Sequence, residues 1–215
     1  MRFIVLLLAC ACGLQVLHAQ ESKIVVKRTE FLFETGKFFA QCHASTIEET
    51  ADGQLLASWF AGSHEGSADV RIWGARYENG KWTDPQVWAD GNLTDAEQQP
   101  CWNPVLFRAP NERTLYLYYK VGPNPREWWG MVKTSSDDGR TWSAAKKLPS
   151  GILGPIKNKP IALADGNVLS PSSVEINEDR WVAHVERSED QQRTWKVFPI
   201  AHDSKMNVIQ PSIVQ

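Results

Sequence analysis

The sequence is poor in cysteine and carries no excess of charge of either sign. It has 215 residues, only 4 cysteines and a formal net charge of -2. A nucleic-acid-binding protein normally presents a basic face, so this balance argues against nucleic acid as a partner. The cysteines also lack the spacing of a zinc site. The sequence therefore predicts neither a bound metal nor a cofactor.

Long apolar runs are also missing, except at the N-terminus. Arg2 precedes the apolar stretch 3–17, and Ala19 ends a segment that resembles a small-residue cleavage site. This pattern predicts a signal peptide over residues 1–19, and hence export to the periplasm or the medium; a lipoprotein anchored at Cys10 is the less favoured alternative. A membrane span needs about 20 apolar residues, so no transmembrane segment is expected.

Removal of the signal peptide leaves two cysteines, Cys42 and Cys101. A pair of cysteines in an exported protein is compatible with one disulfide. It is equally compatible with two free thiols, which pack as small apolar side chains. The sequence leaves both alternatives open.

Helical periodicity is absent from the rest of the chain, where short strand patterns predominate. Apolar or alternating runs rich in β-branched and aromatic residues occur at 23–26, 55–60, 70–77, 114–121, 129–134, 167–169 and 181–185. Turn dipeptides such as Asn79-Gly80 and Asp165-Gly166 separate them and supply the positive φ that tight hairpins need. The sequence predicts an all-β fold built from hairpins.

An octapeptide of the form Ser-x-Asp-x-Gly-x-Thr-Trp repeats along the chain. It occupies residues 135–142 and recurs at 188–195, with glutamine in place of the glycine. An eroded copy ends at Trp82, so the terminal tryptophans lie 60 and 53 residues apart. A repeat of about 50 residues made of short strands is typical of a β-propeller with four strands per blade.

The octapeptide has a structural rather than a catalytic logic. Its aspartate can accept hydrogen bonds from turn amides, its glycine can adopt a positive φ, and its tryptophan can pack between sheets. The residues predicted to act in this way are Ser135, Asp137, Gly139, Trp142, Asp190 and Trp195.

The octapeptide resembles the Asp box, or BNR repeat, of sialidase-like propellers. Further segments, at 42–48, 59–66, 101–106, 120–123 and 154–160, resemble a bacterial and plant sialidase-like subgroup. The resemblance implies a β-propeller of the sialidase type over residues 37–215, preceded by an N-terminal strand or leader segment at 20–36.

At this repeat length the chain would hold about three four-stranded blades and the start of a fourth, an incomplete six-bladed ring. Inner strands would then begin near Cys42, Trp102, Lys157 and Val208. The missing C-terminal blades would be needed to close the ring, and we expect activity to depend on them.

The resemblance also indicates where the chemistry should differ from that of sialidases. The position that matches the first carboxylate-binding arginine of sialidases is His43, and the glutamate that polarises their tyrosine nucleophile is matched by Val208. Both changes argue against ordinary sialidase activity.

Catalytic candidates follow from the same template. The sialidase acid/base aspartate lies on the loop after the second strand, which here contains, in our order of preference, Glu65, Asp69 and His64. His43 would face the channel as a general base. The alternatives are solvated loop charges and a hydrogen-bonded channel histidine.

Substrate-binding candidates are cationic, amide and aromatic. Strand alternation would place Lys157 and Lys159 on one face as a pocket for a carboxylate or sulfate, unless one of them pairs with Glu48 or Glu175. We predict that Lys120 supplies a cation and that Asn103 supplies an amide. Trp102 would offer a stacking face and Trp128 a platform for a sugar, with core packing as the alternative for both tryptophans.

These patterns predict an exported carbohydrate-active protein whose partner is a glycan. The favoured hypothesis is an exo-acting glycoside hydrolase on terminal, and in some cases acidic, sugars. The alternatives are a polysaccharide lyase with a histidine base and a non-catalytic glycan-binding propeller.

Overall fold

The structure is a computed structural model that describes residues 24–92, 98–110, 112–189, 193–203 and 205–214. The predicted signal peptide and Asp190 of the second octapeptide lie outside the described residues. Two units are distinguished, one ending at Phe31 and one beginning at Leu32. Residues 24–31 contain no helix or strand, so the prediction of a strand at 23–26 is wrong for its described part, 24–26. All the strands described here belong to the second unit.

The second unit consists of three antiparallel sheets, which confirms the all-β prediction. The first sheet contains β1 (Gln41–Glu49), β2 (Leu55–Gly62), β3 (Arg71–Glu78), β4 (Lys81–Trp82) and β5 (Gln86–Ala89). The second contains β6 (Cys101–Arg108), β7 (Leu115–Val121), β8 (Trp129–Ser135) and β9 (Lys146–Lys147). The third contains β10 (Ile161–Ala162), β11 (Val168–Asn177), β12 (Arg180–Glu189) and β13 (Thr194–Pro199).

Each sheet is a meander in which consecutive strands pair. In the first sheet β4 and β5 both pair with β3, and the other two sheets follow chain order without a crossover. Asn79 and Gly80, between β3 and β4, have φ values of 53° and 79°, as a tight type I′ hairpin requires. Local turn chemistry therefore accounts for the short connections.

The core lies between neighbouring sheets. The first and second sheets bury a shared cluster that includes Leu56, Phe60, Ile72, Leu106, Leu117 and Tyr119. A second cluster, around Val105, Tyr118, Leu148 and Val168, joins the second sheet to the third. Because each sheet buries apolar side chains against its neighbour, their packing fixes the relative positions of the strand ends.

The region that carries the two lysine candidates differs from the prediction. Lys157 and Lys159 precede β10 instead of lying in a strand, so strand alternation does not place them on a common face. Pro160 follows Lys159 and has no backbone N–H to donate to a neighbouring strand. Regular pairing of this segment begins only at Ile161.

The structure resolves the two alternatives for the cysteines in favour of free thiols. Cys42 is exposed and Cys101 is buried, and they are not bonded to each other. Burial raises the pKa of the Cys101 thiol well above its usual range. This thiol therefore stays protonated and packs as an apolar group.

Among the described residues, no helix is long and apolar enough to span a membrane.

Candidate functional site

A β-bulge interrupts the pairing near the start of the first strand in two sheets. In β1 the register shifts after His43, where Ala44 has a φ of 55°. In β6 it shifts after Trp102, where Asn103 has a φ of 40°. Positive φ is uncommon outside glycine, and bulges change the direction in which a side chain points. The two strands therefore present His43 and Trp102 at equivalent positions.

Four rings form a continuous aromatic row beside these bulges. The His43 ring stacks on Phe60 with centroids 5.5 Å apart and an interplanar angle of 19°. Phe60 lies 6.0 Å from Trp102, which meets Trp128 edge-to-face at 5.8 Å. His43 is exposed, whereas Trp102 is 5% exposed and its indole nitrogen donates to the Gly122 carbonyl at 2.8 Å. The row is therefore packed at Trp102 and accessible at His43.

The loop between β2 and β3 holds the three other catalytic candidates, and Asp69 closes it. The Asp69 carboxylate accepts hydrogen bonds from the Ser63 amide at 2.9 Å and from the Ser63 hydroxyl at 2.8 Å. These bonds hold the pKa of Asp69 below its usual range. His64 Nδ1 lies 2.7 Å from the Ser67 hydroxyl within the same loop. Asp69 is thus an ionised carboxylate that orders the loop.

The same loop approaches both bulged strands. The Glu65 amide donates to the Gln41 side-chain oxygen at 3.3 Å, which ties the loop to the start of β1. Gly66 has a φ of 84° and passes so close to Trp102 that an added Cβ would lie 3.4 Å from the indole. The Glu65 side chain is exposed on this loop. The fold therefore brings the candidate carboxylates into the neighbourhood of the aromatic row.

Lys157 and Lys159 both reach across to β1. Lys157 Nζ donates to the Ser45 carbonyl at 3.2 Å, two residues after His43. Lys159 forms an ion pair with Glu48, one of the two partners that the sequence left open. Since Lys157 contacts only a neutral carbonyl among its described hydrogen bonds, its positive charge remains available to an anionic ligand near the bulge.

Lys120 lies in the interior, although the sequence made it a candidate for binding substrate. It is fully buried at the end of β7, and its ammonium donates to the Pro155 carbonyl. Burial lowers the pKa of Lys120 to about 7, and the nearby negative charge of Glu186 limits that fall. Asn103, the bulge residue of β6, is 7% exposed.

Glu186 is the partner that the sequence did not reveal. Its carboxylate is fully buried and accepts hydrogen bonds from the Leu153 amide at 2.9 Å and the Gly154 amide at 2.6 Å. His184 Nε2 lies 3.1 Å from the same carboxylate. This buried network fixes the segment that leads from the second sheet to Lys157.

The first octapeptide forms a closed turn after β8. Asp137 accepts hydrogen bonds from the Thr141 amide at 2.8 Å and the Thr141 hydroxyl at 2.5 Å, and these lower the pKa of Asp137 to about 2. Ser135 donates to Asp137 at 2.7 Å and accepts the Gly139 amide at 2.9 Å. These contacts are internal to the turn, as a structural role requires.

The tryptophans that end the octapeptides pack between elements. Trp142 lies 5.4 Å from Trp88 and packs against the cluster shared by the first two sheets. Trp195 is partly buried against the cluster that joins the second and third sheets. Both positions are compatible with the predicted packing role.

Sequence reasoning missed two residues of the site, Phe60 and Gln41. Phe60 faces His43 because the two residues pair in the β1–β2 ladder. Gln41 anchors the loop through its side chain. Each depends on the strand register, which no local motif encodes, although an aromatic residue ahead of the Gly62 loop was a weak signal. The described residues contain no cluster of three or more side chains suited to hold a metal.

Comparison with protein families defines the class to which these sheets and turns belong. A model of the BNR repeat-like domain matches residues 53–215. The chain therefore belongs to the BNR repeat-like family. No curated protein matches it.

Solved structures with the same fold include glycoside hydrolases. The chain is similar to a Dyadobacter fermentans protein of unknown function, with a TM-score of 0.64 and 15% identity over 81% of this chain and 58% of that one. It is similar to a Trypanosoma rangeli sialidase, with a TM-score of 0.62 and 15% identity over 82% of this chain and 33% of that one. It is also similar to a family 117 glycoside hydrolase from Zobellia galactanivorans, with a TM-score of 0.56 and 12% identity over 74% of this chain and 55% of that one.

These identities show a shared fold alone. The chain spans between 33% and 58% of the length of these three structures. The fold is therefore sialidase-like.

Proposed function

We propose that the protein is an exported, glycan-active member of the sialidase-like propellers and that it acts as an exo-glycoside hydrolase. The single observation that carries the proposal is the exposed His43, stacked at the end of an aromatic row and flanked by the carboxylate-bearing loop of Glu65. Aromatic surface next to a few polar, titratable groups is the usual make-up of a small-ligand site.

In this proposal the three sheets are successive blades and their first strands line a central channel. Equivalent bulges in β1 and β6 support that arrangement, because both strands turn the residue before the bulge in the same way. The segment around Gln210, which has a φ of 52°, would begin a further blade.

The roles of the side chains follow from their environments. Histidine is suited to move a proton near neutral pH, so His43 is the proposed general base. Glu65 is the proposed proton donor on the loop, and Asp69, held ionised by Ser63, keeps the loop in place. Lys157 would contact the carboxylate of an acidic sugar through its free charge. An ordinary sialidase would place an arginine where this chain has His43.

The test compares His43→Ala with His202→Ala, a matched change at a histidine outside the site. Binding of a glycan panel and release of reducing sugar from the same panel are measured for the unchanged protein and for both variants. We expect His43→Ala to keep affinity within a few-fold and to lower product release by about 10²-fold or more. Equal turnover in both variants would reject His43 as the base.

The alternative is a glycan-binding protein without catalysis, and it is favoured by the aromatic row itself, which can hold a sugar ring without any reacting group. It predicts that no glycan of the panel is cleaved and that Trp102→Leu lowers affinity. An unsaturated, ultraviolet-absorbing product would instead support a lyase.

A further inference from the structure

A pocket lies next to the aromatic row, between the second and third sheets. Its volume is about 600 Å³, within the range of small-ligand sites. Residues 125–129, 147–153 and 174–175 line it. Trp128 belongs both to this pocket, called here the Trp128 pocket, and to the row that ends at His43. The pocket is therefore contiguous with the proposed site without being part of it.

The side of the second sheet contributes two adjacent tryptophans, Trp128 and Trp129, to the lining of the Trp128 pocket, and this side is called the indole wall. Trp129 also packs against the cluster shared by the first two sheets. Trp128 and Trp129 are both partly exposed. Lys147 Nζ lies 4.5 Å from the centre of the Trp129 ring, in the geometry of a cation–π contact. Pyranose rings present apolar C–H faces together with hydroxyl edges, so an indole wall beside polar groups is complementary to them.

The opposite wall supplies the polar groups. Glu175, at the end of β11, is partly buried, and burial raises the pKa of its carboxyl group while Arg126 acts in the other direction. Arg126 pairs with Glu178, at 3.4 Å, in the β11–β12 turn. The lining thus contains two cations, Arg126 and Lys147, and two carboxyl groups, Glu127 and Glu175.

This balance of charge selects the chemistry of the ligand. A strongly anionic group would meet the two carboxyl groups, and a cation would meet Arg126 and Lys147. A neutral polyhydroxylated ring can donate to the carboxyl groups and accept from the cations, which suits the hydrogen-bonding capacity of each. The pocket therefore fits a neutral sugar better than an acidic one.

We propose that the Trp128 pocket binds a neutral pyranose unit, as a carbohydrate site separate from the one around His43. The ring would lie against the indole wall, with hydroxyl groups directed to Glu175 and to Arg126. The inference goes beyond the proposed hydrolase activity and does not require it, because binding in the Trp128 pocket involves neither His43 nor the loop of Glu65.

The experiment titrates the whole chain with methyl β-galactoside, methyl β-glucoside and the matching methyl glucuronide, by saturation-transfer NMR and calorimetry. Ser150→Trp fills the pocket and Ser136→Trp is its control in the exposed octapeptide turn. Glu175→Ala removes the carboxyl group, and Asp179→Ala, exposed in the adjacent turn, controls for it. Far-ultraviolet circular dichroism verifies that every variant is folded.

We expect saturable binding of at least one neutral glycoside, weakened about tenfold or more by Ser150→Trp and by Glu175→Ala, since a tenfold change corresponds to the loss of one good hydrogen bond. Ser136→Trp, Asp179→Ala and His43→Ala should leave the affinity within twofold. The proposal is overturned if no neutral glycoside binds, if the glucuronide binds more tightly, or if Ser150→Trp and Glu175→Ala have no effect. Loss of binding only in His43→Ala would also overturn it and would leave the hydrolase proposal standing.

Discussion

The buried carboxylate of Glu186 should be a main determinant of stability. The change Glu186→Ala would leave the Leu153 and Gly154 amides without their acceptor. It would also leave the Lys120 ammonium buried without a compensating negative charge. All of these groups lie between the second and third sheets, where water cannot readily replace the lost carboxylate.

The expected cost follows from these lost contacts. Leaving one buried charge without the opposite charge that compensates it typically costs 3–5 kcal/mol, and each unsatisfied buried donor costs about 1–3 kcal/mol. The two figures overlap, because part of the first already describes the orphaned donors. We therefore expect Glu186→Ala to lower the free energy of unfolding by about 4 kcal/mol, a large fraction of the 5–15 kcal/mol typical of a domain.

Urea unfolding followed by circular dichroism measures this loss. Glu189→Ala, on the same strand, is the control, because the ion pairs of Glu189 with Arg187 and Lys196 are partly exposed and their loss should cost about 1 kcal/mol or less. The double variant Lys120→Met with Glu186→Leu should recover only the part of the loss that comes from the uncompensated lysine charge, since the Leu153 and Gly154 amides still lack an acceptor. A loss below about 1 kcal/mol for Glu186→Ala would refute the reasoning.

Three further predictions concern pH and packing. The folded-state pKa of Lys120 is about 7, so above that pH the unfolded chain binds more protons than the folded one. The free energy of unfolding should therefore rise with pH, by up to about 1.4 kcal/mol per pH unit. Lys120→Met should remove this slope, as measured from urea midpoints between about pH 7 and 8.5. The folded-state pKa of Asp137 is about 2, so its ionised carboxylate stabilises the fold above about pH 4, and this stabilisation is lost as the pH falls towards 2. Asp137→Asn should therefore lower Tm at about pH 7 but not at about pH 2. Gly74→Ala should cost about 1–3 kcal/mol in thermal unfolding, because its Cβ would lie 2.3 Å from the Trp88 indole. An unchanged slope, an equal Tm loss at both pH values, or an unchanged Tm for Gly74→Ala would each contradict its prediction.

Local sequence patterns predict much of the sheet structure because alternation and turn chemistry are local. The run 129–134 corresponds to β8, Trp129–Ser135, and the run 55–60 to β2, Leu55–Gly62. The run 167–169 covers only the start of β11, Val168–Asn177. Pro171 interrupts the pattern there, yet it lies beyond the two residues of β11 that pair with β10, so no hydrogen bond from its nitrogen is required on that side.

The candidate site was predicted less completely, because its key contacts join distant parts of the chain. A lysine in the strand pattern of β7 is expected to be exposed, whereas Lys120 is fully buried because its charge is compensated by Glu186, 66 residues later. The ion pair between Lys159 and Glu48 likewise joins the first and third sheets. Local sequence therefore did not indicate the burial of Lys120, whereas the loop of Glu65 and Asp69 follows β2 in the chain because it is short and local. The catalytic role of that loop stays a prediction.

Residues with positive φ show that a backbone feature recurs along this fold while the neighbouring side chain changes. Ala44, Asn103 and Gln210 all have positive φ values, at positions 59 and 107 residues apart along the repeat. This conformation is unfavourable for side chains other than glycine and persists only where the surrounding structure enforces it. The residues that precede them are histidine, tryptophan and isoleucine, so the backbone feature recurs while the side chain does not. The repeated backbone thus sets where a side chain is presented, and its chemistry depends on residues such as His43 that no repeat unit specifies.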